Sequence, residues 1–297
     1  VFLQGEKIRK DGEQLVVGND SALPINTRRA GVAVIDGSDV MKATAKAAFG
    51  TFPVCVDGYF FPESPQNIFE SGKQAHVPML AGWNSQEMVY QMVLGGDKPT
   101  MENLKKALQK LYPNNTEAAL KAYSASTDEE AEAVATQLAA DRFIAYGTWK
   151  WIDLQSKTGG KPVYRYLYAR PRPQMRPEMG NATANLAGGV TKDTTGKAPK
   201  APAAKGAVHS AEIEYALGNL PTNRVYDWQP EDFAVSTIMQ AYFENFIKTG
   251  NPNGMGVPVW PAVDNSKTVQ YMHIDVTTKA VEETNRDRYL FLEKTNK

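Results

Sequence analysis

A chain of 297 residues has room for one large domain or two small ones, and 42% hydrophobic with 22% charged residues is an ordinary globular composition. Lys plus Arg and Asp plus Glu both number 33, so no net field draws the chain to nucleic acid or an anionic membrane. The single cysteine, Cys55, excludes an intrachain disulfide and a multi-cysteine metal site, and no apolar run approaches the roughly 20 residues that span a bilayer.

The first forty residues alternate weakly, and "EQLVV" and "AGVAVID" read as short strands. Charges interrupt the opening "VFLQGEKIRKDGEQ" before any apolar core, unlike a signal peptide. With no initiator Met, Val1 is expected to be a cut end. "FPVCVDGYFFPESPQNIF" is punctuated by Pro and Gly and reads as irregular, partly extended chain. "HVPMLAGWNS" then offers a short apolar run closed by polar residues, the pattern of a buried strand and its exit. Trp83 within it reads as a core residue or as a pocket wall.

Helical signals follow. "TMENLKKALQKLY" sets Leu104, Leu108 and Leu111 on one face behind Thr100 as N-cap. The run from Thr127 to Lys157 opens with a Thr127/Glu130 capping box and is ended by Gly159 and Gly160. "KPVYRYLYAR" has the aromatic content of a strand. Residues 170–205 are rich in Pro, Gly, Ala, Thr and Lys and read as a long mobile loop of low complexity. A short helix is expected after His209. A long one runs from Pro230 in its first turn to Gly250. "TVQYMHIDV" reads as a final strand and "RDRYLFLEK" as a closing helix. Strands alternating with helical blocks predict an α/β protein.

The chain has three histidines, and none shows HxH or HExxH spacing, so a metal site is not expected. His76 precedes an apolar run, where it can simply hold a loop, and His273 lies within the alternating last strand. His209 lies on a loop between a strand and a helix, where catalytic side chains concentrate. Spacing alone leaves it open between a catalytic base and a helix-start histidine bonded to backbone.

"VHSAEIEYALGNL" resembles the segment around the catalytic histidine of type B carboxylesterases, the family of cholinesterases and bacterial para-nitrobenzyl esterases. "FPVCVDGYFFPESPQNIFESGKQAHVPMLAGWNSQEM" is similar to the family's P-V-x-D-G-x-F-x-P segment and the strand that leads to the triad acid. "YFENFIKTGNPN" with "VPVWPAV", and "MHIDV" with "RDRYLFLE", resemble its late helix and bacterial ending. These stretches fall within residues 45–297, in the family's order, and the bacterial para-nitrobenzyl esterase-like branch fits them best.

The resemblance implies the C-terminal part of an α/β-hydrolase fold, a mixed sheet flanked by helices, with residues 1–297 as the C-terminal portion of one domain. Residues 97–158 would be a helical insertion between the acid and histidine strands. His209 takes the place of the triad histidine. The family's N-x-D-E-G element reads Asn84, Ser85, Gln86, Glu87, Met88 here, so Glu87 takes the place of the acid, with Gln86 and Met88 departing from the pattern. Glu212, three residues after His209, is an alternative acid, placed where it would rather support local structure.

The nucleophile should precede the acid on a G-x-S-x-G turn, and no such pattern occurs in the chain. Ser21, in "LVVGNDSALP", is the nearest imitation, but its glycine is one residue too far and Pro24 opposes the helix that should follow. Gly-Gly occurs three times, never in a His-Gly-Gly-Gly setting for an oxyanion hole. The expectation is therefore a serine carboxylesterase acting on small carboxylic esters without a cofactor, this chain supplying Glu87 and His209. A missing N-terminal portion would carry the serine, and the isolated chain would be nearly inactive. A chain cut in this way would lack the central strands and present an open sheet edge. The alternative is a catalytically inactive, esterase-like binding or adhesion module. The resemblance is compatible with export to the periplasm or medium.

Overall fold

The computed structural model describes residues 7–11, 14–18, 56–184, 189–191 and 204–295. The strand expected at "AGVAVID", together with Ser21 and Cys55, lies outside them. The chain divides into two compact units, Val1–Asn67 and Ile68–Lys297.

In the first unit β1 (Lys7–Asp11) pairs antiparallel with β2 (Gln14–Gly18), from Lys7 opposite Gly18 to Asp11 opposite Gln14. Further on, the Asp57 carboxylate accepts the backbone N–H groups of Tyr59 and Phe60 at 2.9 Å and of Phe61 at 3.2 Å. Those donors lower its pKa, and Gly58 turns the chain at φ +77°. The Asp-Gly pair thus makes a turn by side chain-to-backbone bonding.

The second unit is built on a four-stranded mixed sheet: β3 (Met79–Asn84), β4 (Val163–Tyr168), β5 (Gln270–Ile274) and β6 (Lys279–Glu282), adjacent in that order. The first three strands are parallel and β6 returns antiparallel. Met79 stands opposite Val163 and Asn84 opposite Tyr168, so β3 and β4 end level at one edge of the sheet. Side-chain alternation divides β4 between two cores. Val163, with Met79, Ala81 and Trp83, packs on Trp149, Ile152 and Tyr289. Tyr164 and Tyr168, with Met272 and Ile274, pack on Tyr215, Met239, Tyr242 and Trp260. Trp83 is a core residue, its ring edge-on to Tyr289 with the Arg165 guanidinium 4.5 Å from its centroid.

Between β3 and β4 the chain forms α1 (Gln91–Leu94), α2 (Met101–Leu111), α3 (Thr116–Ala122), α4 (Asp128–Ala140) and α5 (Tyr146–Thr158). Thr100 and Thr127 cap α2 and α4, each accepting the N–H three residues on at 3.2 Å. Leu104, Leu108 and Leu138 carry this helical core, with Leu111 partly buried against it. The run read as one helix from Thr127 is broken by a π turn, Asp141–Ala145. Such a turn inserts one residue and re-aims the side chains after it.

After β4 come α6 (Ile213–Ala216), α7 (Pro230–Thr249) and α8 (Arg286–Thr295). Pro230 opens α7 and Gly250 closes it in the left-handed conformation, φ +75°. At its start Gln229 and Asp232 make a reciprocal capping box. Fully buried Asp232 also accepts from Tyr215 Oη at 2.9 Å and Arg170 Nε at 2.6 Å, tying the exit of β4 to α6 and α7. Arg172 and Arg176, early in the stretch 170–205, likewise bond to Glu214 and to the Tyr226 carbonyl. Among the described residues no helix is long and apolar enough to cross a membrane.

Candidate active site

Because β3 and β4 are parallel and in register, their exits leave from the same edge. Ser85 N–H continues the ladder to Tyr168 O at 2.9 Å, and then the β3 exit meets the segment that carries His209. Gln86 N–H donates to Ala207 O at 2.8 Å, Gly206 N–H to Gln86 Oε1 at 2.8 Å, and Ala207 N–H to Ser85 Oγ at 2.9 Å. Gly206 makes this approach tight: a Cβ there would lie 2.7 Å from Ser85 Oγ, the atom that accepts the Ala207 N–H. Gln86, a departure from the expected acid-loop pattern, therefore holds the two loops together through both backbone and side chain.

This junction brings His209 and Glu87 together, with Nδ1 2.6 Å from Oε2. Glu87 is 4% exposed, and its other oxygen accepts the Asn84 N–H at 2.7 Å. Burial raises the Glu87 pKa, opposed by the Asn84 N–H and His209 and reinforced by the charge of Glu212. The imidazole is about a third exposed, and among the described residues nothing hydrogen-bonds its Nε2. A carboxylate at Nδ1 fixes the tautomer in which Nε2 is free to take a proton.

The backbone around His209 is held on both sides. Asn84 Nδ2 donates to Val208 O at 2.8 Å, and Arg172 Nη2 to Ser210 O at 2.8 Å. Ser210 stands in the left-handed region, φ +63°, uncommon for a residue with a Cβ, and Ala211 N–H closes the turn on Val208 O at 3.0 Å. The Phe143 ring, from the π turn, meets the imidazole edge-on with centroids 5.2 Å apart. Glu212 makes no hydrogen bond to His209 and instead accepts from Asn84 Nδ2 at 2.5 Å. His76 bonds the Gly72 carbonyl at 3.0 Å, and His273 fills a sheet position opposite Leu167 and Lys279.

Sequence reasoning passed over Asn84, Ser85, Arg172 and Phe143. Asn84 and Ser85 lie inside the element that resembles N-x-D-E-G, which was the one signal pointing at them.

The Carboxylesterase family profile matches residues 27–292. Acylcarnitine hydrolase of Mus musculus is 26% identical over 243 residues, which are 77% of this chain and 38% of that protein. Carboxylesterase 4A of Bos taurus is 25% identical over 273 residues, 82% of this chain and 44% of that one. The chain thus spans less than half the length of these relatives. Among solved structures, a PNB esterase superposes with a TM-score of 0.56 at 20% identity, over 87% of this chain and 49% of its own. That likeness gives the α/β-hydrolase fold. With the profile matched across nearly all of its length, this chain belongs to the carboxylesterase family.

Proposed function

We propose that this chain carries the acid and base of a serine carboxylesterase, Glu87 and His209, and that a serine on a G-x-S-x-G turn outside this sequence is the nucleophile. His209 Nε2 takes the hydroxyl proton as the serine attacks the ester carbonyl, and returns it to the departing alcohol. Water then attacks the acyl-enzyme by the same proton path. Glu87 keeps Nδ1 protonated and stabilises the imidazolium that forms. The substrate is a small carboxylic ester and no cofactor enters the chemistry.

The observation that carries this proposal is the 2.6 Å contact from buried Glu87 to Nδ1 of a histidine whose Nε2 is free among the described residues. An adhesion-type role would not require that contact. The test is hydrolysis of a 4-nitrophenyl ester by this chain and by a version extended upstream to include the serine turn. The isolated chain should be nearly inactive, since loss of a triad nucleophile costs about a millionfold in turnover. The extended protein should show a burst of nitrophenol, and Glu87→Gln should lower its kcat by about 10⁴. Hydrolysis that survives His209→Ala in either form would overturn the proposal.

A further inference from the structure

We propose that Asn84 is a positioning residue that selects which of two carboxylates His209 meets. The inference rests on the reading of Glu87 and His209 as an acid–base pair. Two carboxylates meet at this junction, since Asn84 bonds both Glu87 Oε1 and Glu212 Oε2, and Glu212 lies only three residues from His209. A half-buried carboxylate without a donor pays a desolvation penalty that an imidazole N–H would relieve. Left alone, Glu212 would draw the ring toward itself.

Asn84 supplies that donor. Its amide nitrogen carries two hydrogens, one on Glu212 Oε2 at 2.5 Å and the other on Val208 O at 2.8 Å. Both partners are acceptors, so chemistry fixes which end of the amide is nitrogen. The backbone N–H of the same residue donates to Glu87 Oε1 at 2.7 Å, leaving Oε2 for His209 Nδ1. One residue thus occupies Glu212, aims Glu87 and anchors the peptide before His209. Asn84 is 2% exposed and is the last residue of β3, in register with Tyr168, so its position is set by the sheet. Asp at this place would offer no side-chain donor when ionised, and Ser only one.

The experiment uses the full chain with ¹⁵N-labelled histidine. Only three imidazoles are present, so the His209 ring is assigned by its loss in His209→Gln. The readout is exchange of the Nδ1 proton with water. In the parent this proton exchanges slowly, and in Asn84→Ala it should exchange about tenfold faster, the equivalent of one lost buried hydrogen bond. Adding Glu212→Gln to Asn84→Ala removes the competing charge and should restore slow exchange. A merely loosened loop would not be rescued this way.

Parent-like exchange in folded Asn84→Ala overturns the proposal, as does an acceleration that Glu212→Gln leaves untouched. If circular dichroism shows that Asn84→Ala does not fold, Asn84→Leu, of similar size and without a donor, is read instead, and parent-like exchange there also overturns it. Glu87→Ala, which removes the acceptor, separates the two levels. Loss of slow exchange in Glu87→Ala with none in Asn84→Ala sinks the role of Asn84 alone. Unchanged exchange in Glu87→Ala sinks the acid–base pair itself.

Discussion

The edge of the Phe143 ring closes on the His209 imidazole, centroids 5.2 Å apart and planes at 77°, and the π turn Asp141–Ala145 is what brings it there. Phe143 remains half-exposed, so its side chain screens the imidazole more than it fills a core. Phe143→Ala should therefore change stability by about 1 kcal/mol or less. The same change should speed modification of His209 by diethyl pyrocarbonate severalfold. Peptide mass mapping checks this with exposed His76 as internal reference, and an unchanged His209 rate would show that the ring does not shield it.

Asp232 is placed to be far more costly to remove. It caps α7 and holds Tyr215 and Arg170 from inside the protein. Asp232→Ala leaves buried Tyr215 Oη without its acceptor, removes the cap and unpairs Arg170, which is partly exposed and can turn to water, so the cost should be about 3 kcal/mol. Asp232→Asn keeps an acceptor for Tyr215 and should lose less. Urea unfolding of the two variants should rank Ala below Asn, and equal midpoints would remove the hydrogen bond from the account.

The sheet and most helices could be read from the sequence because their signals are local. Val163–Tyr168 is an aromatic run, Thr100 and Thr127 are caps, and Pro230 and Gly250 bracket a helix. The strand Lys279–Glu282 was not legible, since four half-polar residues carry no period to find. The π turn was invisible because 128–158 reads as one helical run whichever ladder its backbone adopts. Glu87 and His209 came from resemblance, not from spacing. Their contact spans 122 residues, as does the bond from Ala207 N–H to Ser85 Oγ, with Asn84 and Gln86 joining across 120 to 128; no periodicity reaches that far.

Asp141 gives the fold a pH dependence of defined sign. Burial pushes its pKa up to about 6, against the Arg288 and Arg165 charges and the Tyr123 hydroxyl, which lower it. A carboxyl whose folded pKa lies above its unfolded value holds its proton more tightly when folded. Its stabilising contribution is complete below about pH 4, near the unfolded value, and is lost as pH rises through about 6. The span corresponds to roughly 3 kcal/mol at most. Asp141→Asn keeps an acceptor for Tyr123 Oη, now 3.0 Å from Oδ2, and cannot ionise. Relative to the parent it should gain stability between pH 4 and pH 7, read from urea midpoints across that range. A constant difference would mean that Asp141 does not titrate there.

Gly206 tests the junction from the other side. Its missing side chain lets the His209 segment lie against the β3 exit, where a Cβ would meet Ser85 Oγ at 2.7 Å and Gln86 Cβ at 3.2 Å. Gly206→Ala must turn Ser85 Oγ away from the Ala207 N–H or part the segments, at a cost of about 1–3 kcal/mol for overpacking. The displaced strand of contacts includes Ala207 N–H to Ser85 Oγ, Gly206 N–H to Gln86 Oε1 and the Glu87–His209 pair beyond them. Ser85→Ala alone loses the acceptor for Ala207 N–H but makes room for the new methyl. The two substitutions should therefore couple, the double variant being more stable than the sum of the singles predicts by about 0.5 kcal/mol or more. Strict additivity in urea unfolding would mean that the loops part without strain, and that Gly206 is not what permits their approach.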